Sequence, residues 1–324
     1  MEVKKKMNTT SFNEVNNFNK ELMNEFLENS TELAPQSREA YRVCLRMWFV
    51  WVKDFLNNKR HVDIVPLEFK RFQKWLIENG SSSATVNNRR GAISSLNNYI
   101  ETYYPREYPM FRNFVNRNIK YPLKIGIKEK NPVTKEECNY LISVLTEFED
   151  WQKIAYLTFT LETGCRRGES RQLLKKVTEL NPITKETNGK FVTYYETHPI
   201  RCKGAGKEGK KRTFCFGQAT MNALKKWVDF RGNDDCPYMF VNTQRNKVQQ
   251  VGAPRFNVWC DKFSEIVGKH IHPHSLRTSR ATQLSEEEGV DIRIISKLLG
   301  HEQVSTTEKH YVVRDDANDL LTLF

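Results

Sequence analysis

Long apolar runs are missing from this chain of 324 residues. The most apolar stretches, such as residues 47–52, fall far short of the roughly 20 residues that cross a bilayer, and the start of the chain lacks the apolar run of a secretion signal. A cytoplasmic chain with no membrane partner is therefore expected. Paired cysteine motifs are also missing. The seven cysteines, Cys44, Cys138, Cys165, Cys202, Cys215, Cys236 and Cys260, are odd in number, scattered and without a CxxC pair. That pattern excludes a disulfide framework and a zinc ribbon, and it leaves small buried apolar residues. No internal repeat or low-complexity tract stands out. Acidic residues are the minority, 39 against 51 Lys and Arg, for a formal charge of +12. A polyanionic partner follows, because Lys and Arg that neutralise phosphates release condensed counterions. Residues 1–128 hold 21 basic and 13 acidic residues, so the front of the chain carries most of the excess.

What is present reads as two domains, mainly α with a small β-sheet. Tyr41, Leu45, Trp48, Val52 and Phe55 recur at helical spacing after Pro35 and Ser37. A second helix carries Leu67, Phe69, Phe72 and Leu76 and stops at Gly80. A third begins near Thr85 with Val86, Ile93, Leu96 and Ile100 inward, and Arg89 and Arg90 lie off that stripe, either as solvated surface or as contacts to DNA phosphates. Periodicity fades where Lys120, Lys124, Lys128 and Lys130 gather around Pro122 and Gly126, a basic linker. Thr134 and Glu137 then have the spacing of a capping box. The expected boundaries are a flexible start at 1–11, a helical domain at 12–118, a linker at 119–131, a second domain at 132–314 and a tail at 315–324. Strands are expected over residues 191–197 and 212–216.

Four motifs in the second domain carry chemistry. Phosphodiester transfer without metal needs a nucleophile, cations around the phosphate oxygens and a proton donor for the departing oxygen. In Thr163-Gly164-Cys165-Arg166-Arg167-Gly168-Glu169, Arg166 and Glu169 stand three apart on one helical face, suited to a phosphate grip or a plain surface ion pair. A glycine-softened turn holds Lys203, Lys207 and Lys210 between two strands, as groove-reaching donors or a solvated hairpin. His274 and Arg277 are again three apart and are expected to address one spot; His270, His272 and His274 alternate, but Pro273 and the lack of a regular carboxylate or cysteine ligand argue against zinc. Gly300 ends an amphipathic helix before His301, and Ser305 and Glu308 frame a helix bearing Tyr311, whose phenol attacks only where cations favour the phenolate.

The order Arg166, Lys203, His274-x-x-Arg277, Gly300-His301, Tyr311 resembles the catalytic domain of the tyrosine recombinase (phage integrase) family, over roughly residues 131–314. The helical front part is similar to that family's SAM-like core-binding domain. The resemblance implies a two-domain clamp on double-stranded DNA recombination sites. It also implies a homotetramer on two duplexes, a monomer or weak oligomer off DNA, with an accessory factor setting direction, and no metal or other cofactor. Carried over, Arg166 and Arg277 hold the scissile phosphate, Lys203 protonates the leaving 5′ oxygen, His274 and His301 assist proton transfer, Tyr311 is the nucleophile and Glu169 supports Arg166. Lys120, Lys207, Lys210, Arg89 and Arg90 complete the expected DNA contacts.

Three departures stand out. Tyr311 lies ten residues after His301, one more than is common, so His310 occupies the usual tyrosine position. Thr278 replaces a frequent histidine, and the longer lysine turn leaves Lys207 or Lys210 as alternative proton donors. Integration or excision of a mobile element is the expected setting, with Xer-like dimer resolution, type IB topoisomerase relaxation and an inactive DNA-binding accessory role as alternatives. Little room precedes residue 12 for an arm-binding domain, which favours a simple recombinase, and the apolar tail is expected to dock on a neighbouring protomer.

Overall fold

A computed structural model describes residues 9–115, 131–187, 189–203, 209–245 and 247–300. Lys120, Lys207, His301, Tyr311, the tail and all but the last residue of the expected linker lie outside the described residues. The chain divides into two compact units, Met1–Lys128 and Glu129–Phe324.

The first unit is helical: a 3-10 turn over Thr9–Glu14, then α1 (Asn17–Asn29), α2 (Pro35–Phe55), α3 (Pro66–Glu78) and α4 (Ser83–Tyr103). Local chemistry sets the boundaries. Pro35 and Pro66 open their helices, where a missing N–H costs nothing, and the Ser82 hydroxyl accepts the Thr85 N–H at the start of α4. Trp48, Phe49, Phe69 and Phe72 fill the core with almost no exposure, and the Trp48 and Phe72 rings meet at 4.9 Å. A polar network runs through this core. The Trp48 indole N–H donates to His61 Nδ1 at 3.1 Å, so the ring hydrogen sits on Nε2, 2.7 Å from Asn97 Oδ1. Burial holds His61 well down, at about 4.

Arg90 corrects the sequence reading. It is 4 % exposed, donates to Gln73 and lies over the Phe69 ring at 5.4 Å. Its position, four after Val86 and three before Ile93, is on the inward row of α4, so the apolar stripe has a cation inside it.

The second unit is mixed. α5 (Lys135–Glu147), α6 (Trp151–Thr163) and the single turn α7 (Arg167–Ser170) lead into β1 (Ile183–Thr187), β2 (Lys190–Glu196), β3 (Ile200–Cys202), β4 (Lys210–Arg212) and β5 (Cys215–Phe216). Then follow α8 (Gln218–Arg231), β6 (Val241–Gln244), β7 (Lys247–Gln250), α9 (Arg255–Val267), α10 (Pro273–Thr282), a π turn and α11 (Ile292–Leu299). All strand pairing is antiparallel, in one sheet of order β1-β2-β5 and two hairpins, β3-β4 and β6-β7. The expected strand over 212–216 is thus split, Arg212 ending a hairpin and Cys215–Phe216 joining β2. The apolar α6, with Ile154, Ala155, Leu157 and Phe159 buried, is the central post against which α5, α8 and α10 pack. The expected capping box opens α5: Glu137 N–H donates to Thr134 Oγ1 at 3.2 Å, and Thr134 N–H donates to the Glu137 carboxylate at 2.8 Å. No helix of the described residues is long and apolar enough to cross a membrane.

Candidate active site

The first candidate arginine sits where α6 stops. Gly164 takes a left-handed conformation, φ 60°, and a Cβ there would lie 2.8 Å from Leu299 Cδ2, so the turn needs glycine for both its angle and its neighbour. Arg166 follows in extended backbone and caps α7. Glu169 holds it at two points, accepting the Arg166 backbone N–H at 2.7 Å and the guanidinium at 3.0 Å. The Glu169 side chain is only 3 % exposed while that of Arg166 is 31 % exposed. A buried carboxylate therefore orients a cation that still reaches solvent, which differs from a mobile surface pair.

Arg277 lies beneath. It has no exposed surface, and its guanidinium donates to the carbonyl of Gly164 at 2.6 Å and to that of Leu299 at 2.5 Å. One side chain of α10 thereby joins the exit of α6 to the exit of α11, whose last residues also end at a left-handed glycine, Gly300, φ 66°. His274 is exposed at the first turn of the same helix. Pro273, Leu276 and Arg277 form the face of α10 packed inward, and His274, about 60° round the helix from Arg277, is exposed at the rim of that face.

His274 instead shares a pocket of about 500 Å³ with Arg166, Arg167, Gly168, Asn257, His272 and Pro273. The His272 and His274 rings are nearly parallel, 8° apart, with centroids 6.3 Å from one another. His272 Nδ1 accepts the Ser275 N–H at 3.0 Å, so this lone pair serves as a helix cap. Arg167 donates to Asn257 at 2.9 Å on the pocket wall. Asn257 carried no sequence signal, because it arrives from α9, some ninety positions away. A larger cavity of about 690 Å³ in the first unit, lined by Glu25, Tyr99 and Tyr104 among others, holds none of the candidate catalytic residues.

The lysine hairpin adjoins the Arg166 turn. Lys203 directly follows β3, is exposed and makes no hydrogen bond or ion pair among the described residues. Gln172 clips this strand from the side: its amide donates to the Arg201 carbonyl at 2.9 Å and accepts the Arg201 N–H at 3.2 Å, as a neighbouring strand would. The base of the hairpin, β3, packs against α7, and burial, with the Glu169 carboxylate alongside, pushes the Cys202 thiol up to about 12. Lys210 is exposed on β4 opposite Cys202. In the first unit Arg89 is half-buried and donates to Ser81 at 3.0 Å.

Comparison with known proteins gives this arrangement a context. The profile of the phage integrase family matches residues 131–318. The SPbeta prophage-derived recombinase-like protein YomM of Bacillus subtilis (strain 168) is 32% identical over 93% of this chain and 89% of its own length. A tyrosine recombinase of Thermosipho africanus (strain TCF52B) is 26% identical over 91% of this chain and 95% of its own. Among solved structures, the Tn1549 transposon integrase in complex with transposon right end DNA superposes with a TM-score of 0.66 at 16% identity, covering 94% of this chain and 97% of that one. XerH bound to palindromic difH superposes at 0.63 with 17% identity, covering 90% and 91%. The chain belongs to the phage integrase family, the tyrosine recombinases, enzymes that break and rejoin DNA in site-specific recombination.

Proposed function

We propose that the chain exchanges DNA strands through a 3′-phosphotyrosyl link to Tyr311, in the integration or excision of a mobile element. The observation that carries this reading is the pair of carbonyl bonds made by Arg277, which ties the turn before Arg166 to the helix end two residues before His301. Gly164, Arg277 and Leu299, far apart in sequence, are thereby joined, which supports a site drawing on residue types that phosphoryl transfer needs from the segments around them. Tyr311 attacks phosphorus, its proton passing to one of the two histidines, His274 or His301. The bond to the 5′ oxygen breaks, and Lys203 supplies the proton that this oxygen takes up. Arg166, oriented by Glu169, holds the phosphate at the pocket, and Arg277 adds positive charge from below. No ATP is required, because the phosphotyrosyl bond conserves the phosphodiester for rejoining, and the cationic side chains do the charge stabilisation that a metal would otherwise supply.

Residues 12–118 act as the core-binding domain and residues 132–314 as the catalytic domain, joined by a basic linker. Arg89, Lys120, Lys207 and Lys210 meet DNA phosphates; Arg90, being buried, serves the core instead. Four copies act on two duplexes, the tail after residue 314 docks on a neighbour, and an accessory factor sets direction. The mobile-element setting draws on the prophage origin of YomM, a relative matched over nearly the whole chain. Dimer resolution is the second reading, favoured by tyrosine recombinase XerA of Pyrococcus furiosus, which matches 59% of this chain at 31% identity.

The test is a nicked duplex that traps the covalent adduct, carrying the site this protein selects from a randomised pool. Tyr311→Phe is expected to abolish the adduct and leave DNA binding intact, while Arg166→Ala slows its formation on the order of 10²-fold. An undiminished adduct in Tyr311→Phe moves the nucleophile elsewhere. Relaxation of supercoils without exchange between two sites indicates a topoisomerase, and site binding without any adduct indicates an accessory protein.

A further inference from the structure

Arg212 is the last residue of β4, paired with Ile200 across the hairpin that presents Lys203. Its aliphatic part and guanidinium cross to the end of α11, where Nη2 donates to the Leu298 carbonyl. Gly300 is packed directly beneath it: a Cβ on Gly300 would fall 1.9 Å from Arg212 Nη1. The other side of the guanidinium faces the Phe214 ring, 4.5 Å from its centroid. Nη1 is buried without a hydrogen-bond partner, a cost that burial of so polar a group carries only where the position is otherwise fixed. Arg212 and Arg277 thus take the consecutive carbonyls of Leu298 and Leu299, both cations lying at the negative end of the helix dipole.

We infer that Arg212 is a positioning residue for proton transfer, locking the Lys203 hairpin in register with the end of α11, from which the chain continues to His301 and Tyr311. The inference rests on the proposed role of Lys203. Gln172 already fastens the outer edge of the same hairpin to the Arg166 turn. Arg212 supplies the missing connection on the other strand. A planar, forked cation suits the place, since it meets a carbonyl, lies flat on a ring and leaves room only for glycine beneath. Arg212 itself need not touch DNA. Its effect reaches the reaction through the position of the Lys203 ammonium, which hands a proton to the 5′ oxygen as the phosphorus to oxygen bond breaks.

A sulfur atom in place of that bridging 5′ oxygen separates the roles. A thiol ionises near pH 8.5 in a cysteine side chain, far more readily than an alcohol, so a thiolate departs without the proton. The nicked duplex described above is prepared with oxygen or with sulfur at the scissile position, and adduct formation is timed with wild type, Lys203→Ala, Arg212→Ala and Arg212→Lys. Arg212→Ala is expected to slow the oxygen substrate by about 10- to 100-fold, as small misplacements of a reacting group do. The sulfur substrate is expected to restore it to near the wild-type rate, with DNA affinity unchanged. Arg212→Lys, which keeps one donor for Leu298, is expected to fall between, and it provides the same sulfur-to-oxygen ratio should the alanine variant fold poorly. If sulfur rescues Lys203→Ala but neither Arg212 variant, or if Arg212→Ala cleaves the oxygen substrate as wild type does, the positioning role is rejected. If sulfur fails to rescue Lys203→Ala, the proton donor itself has been assigned wrongly.

Discussion

The two arginines of the candidate site, Arg166 and Arg277, differ in their surroundings. Arg277 is wholly buried and its charge is compensated by two backbone carbonyls, so its removal leaves both carbonyls without donors in the interior. Arg277→Leu is expected to lower the unfolding free energy of the second unit by about 2–4 kcal/mol in urea, as well as to stop cleavage. Arg166 reaches solvent, and its pair with Glu169 is worth less to the fold. Arg166→Ala is expected to destabilise less than Arg277→Leu, because the buried Glu169 carboxylate keeps the backbone N–H of residue 166, while slowing cleavage severely. Equal denaturation midpoints for the two variants would remove the structural part assigned to Arg277. Spacing alone does not separate these roles. Both residues read as phosphate grips in the sequence, since a three-residue step says which side chains are neighbours but not which of them faces the core.

Among the elements, helices were legible wherever apolar residues recur, and their ends wherever a glycine or a capping box follows. The inward row of α4 shows the limit. Val86, Ile93, Leu96 and Ile100 are all buried as expected, but Arg90 and Asn97 sit in the same row and were passed over for being polar. Their partners, Gln73 and the Phe69 ring for Arg90 and His61 for Asn97, come from α3 and from the turn before it, so no local pattern announces them. The short strands β1, β6 and β7 escaped for the opposite reason: mostly exposed, they lack the alternation that marks a half-buried strand. Left-handed glycines were easier to anticipate than their consequences. Gly80 has φ 78° with nothing near a would-be Cβ, whereas Gly164 has φ 60° and Leu299 against it. Gly80→Ala is expected to cost about 1 kcal/mol for its angle alone, and Gly164→Ala at least about 1 kcal/mol more from the clash. Thermal melts of the two variants check this, and equal shifts would show that Leu299 yields freely.

At the scale of the molecule, the two units are expected to differ in their response to acid. His61 is buried neutral in the first unit, with its value lowered from 6.5 to about 4, so the unfolded chain binds the proton that the folded chain refuses. The stabilisation from keeping it neutral is complete above about pH 6.5 and is lost progressively as the pH falls toward 4. The full loss is roughly 3 kcal/mol. Between pH 7 and pH 4.5, calorimetry on the whole chain is expected to show the melting of the first unit moving down more than that of the second. In His61→Gln, which keeps a polar side chain without a titrating ring, this pH dependence is expected to flatten. A transition of the first unit that tracks the second at every pH would contradict it. The excess of basic residues acts at the same scale, drawing the whole chain to phosphate before any site is read, and it was the part of the function most plainly visible in composition alone.

The amide of Gln172 stands in for an absent neighbouring strand, and that substitution has a mechanical meaning. Two neutral hydrogen bonds contribute about 1–3 kcal/mol together, far below the cost of unfolding a domain. Loss of these two bonds is therefore expected to loosen the outer edge of the lysine-bearing hairpin without unfolding the domain, the other strand staying tied to α11 through Arg212. A single substitution at Gln172 is thus expected to change how firmly the Lys203 end of the hairpin is held while the fold around it stands.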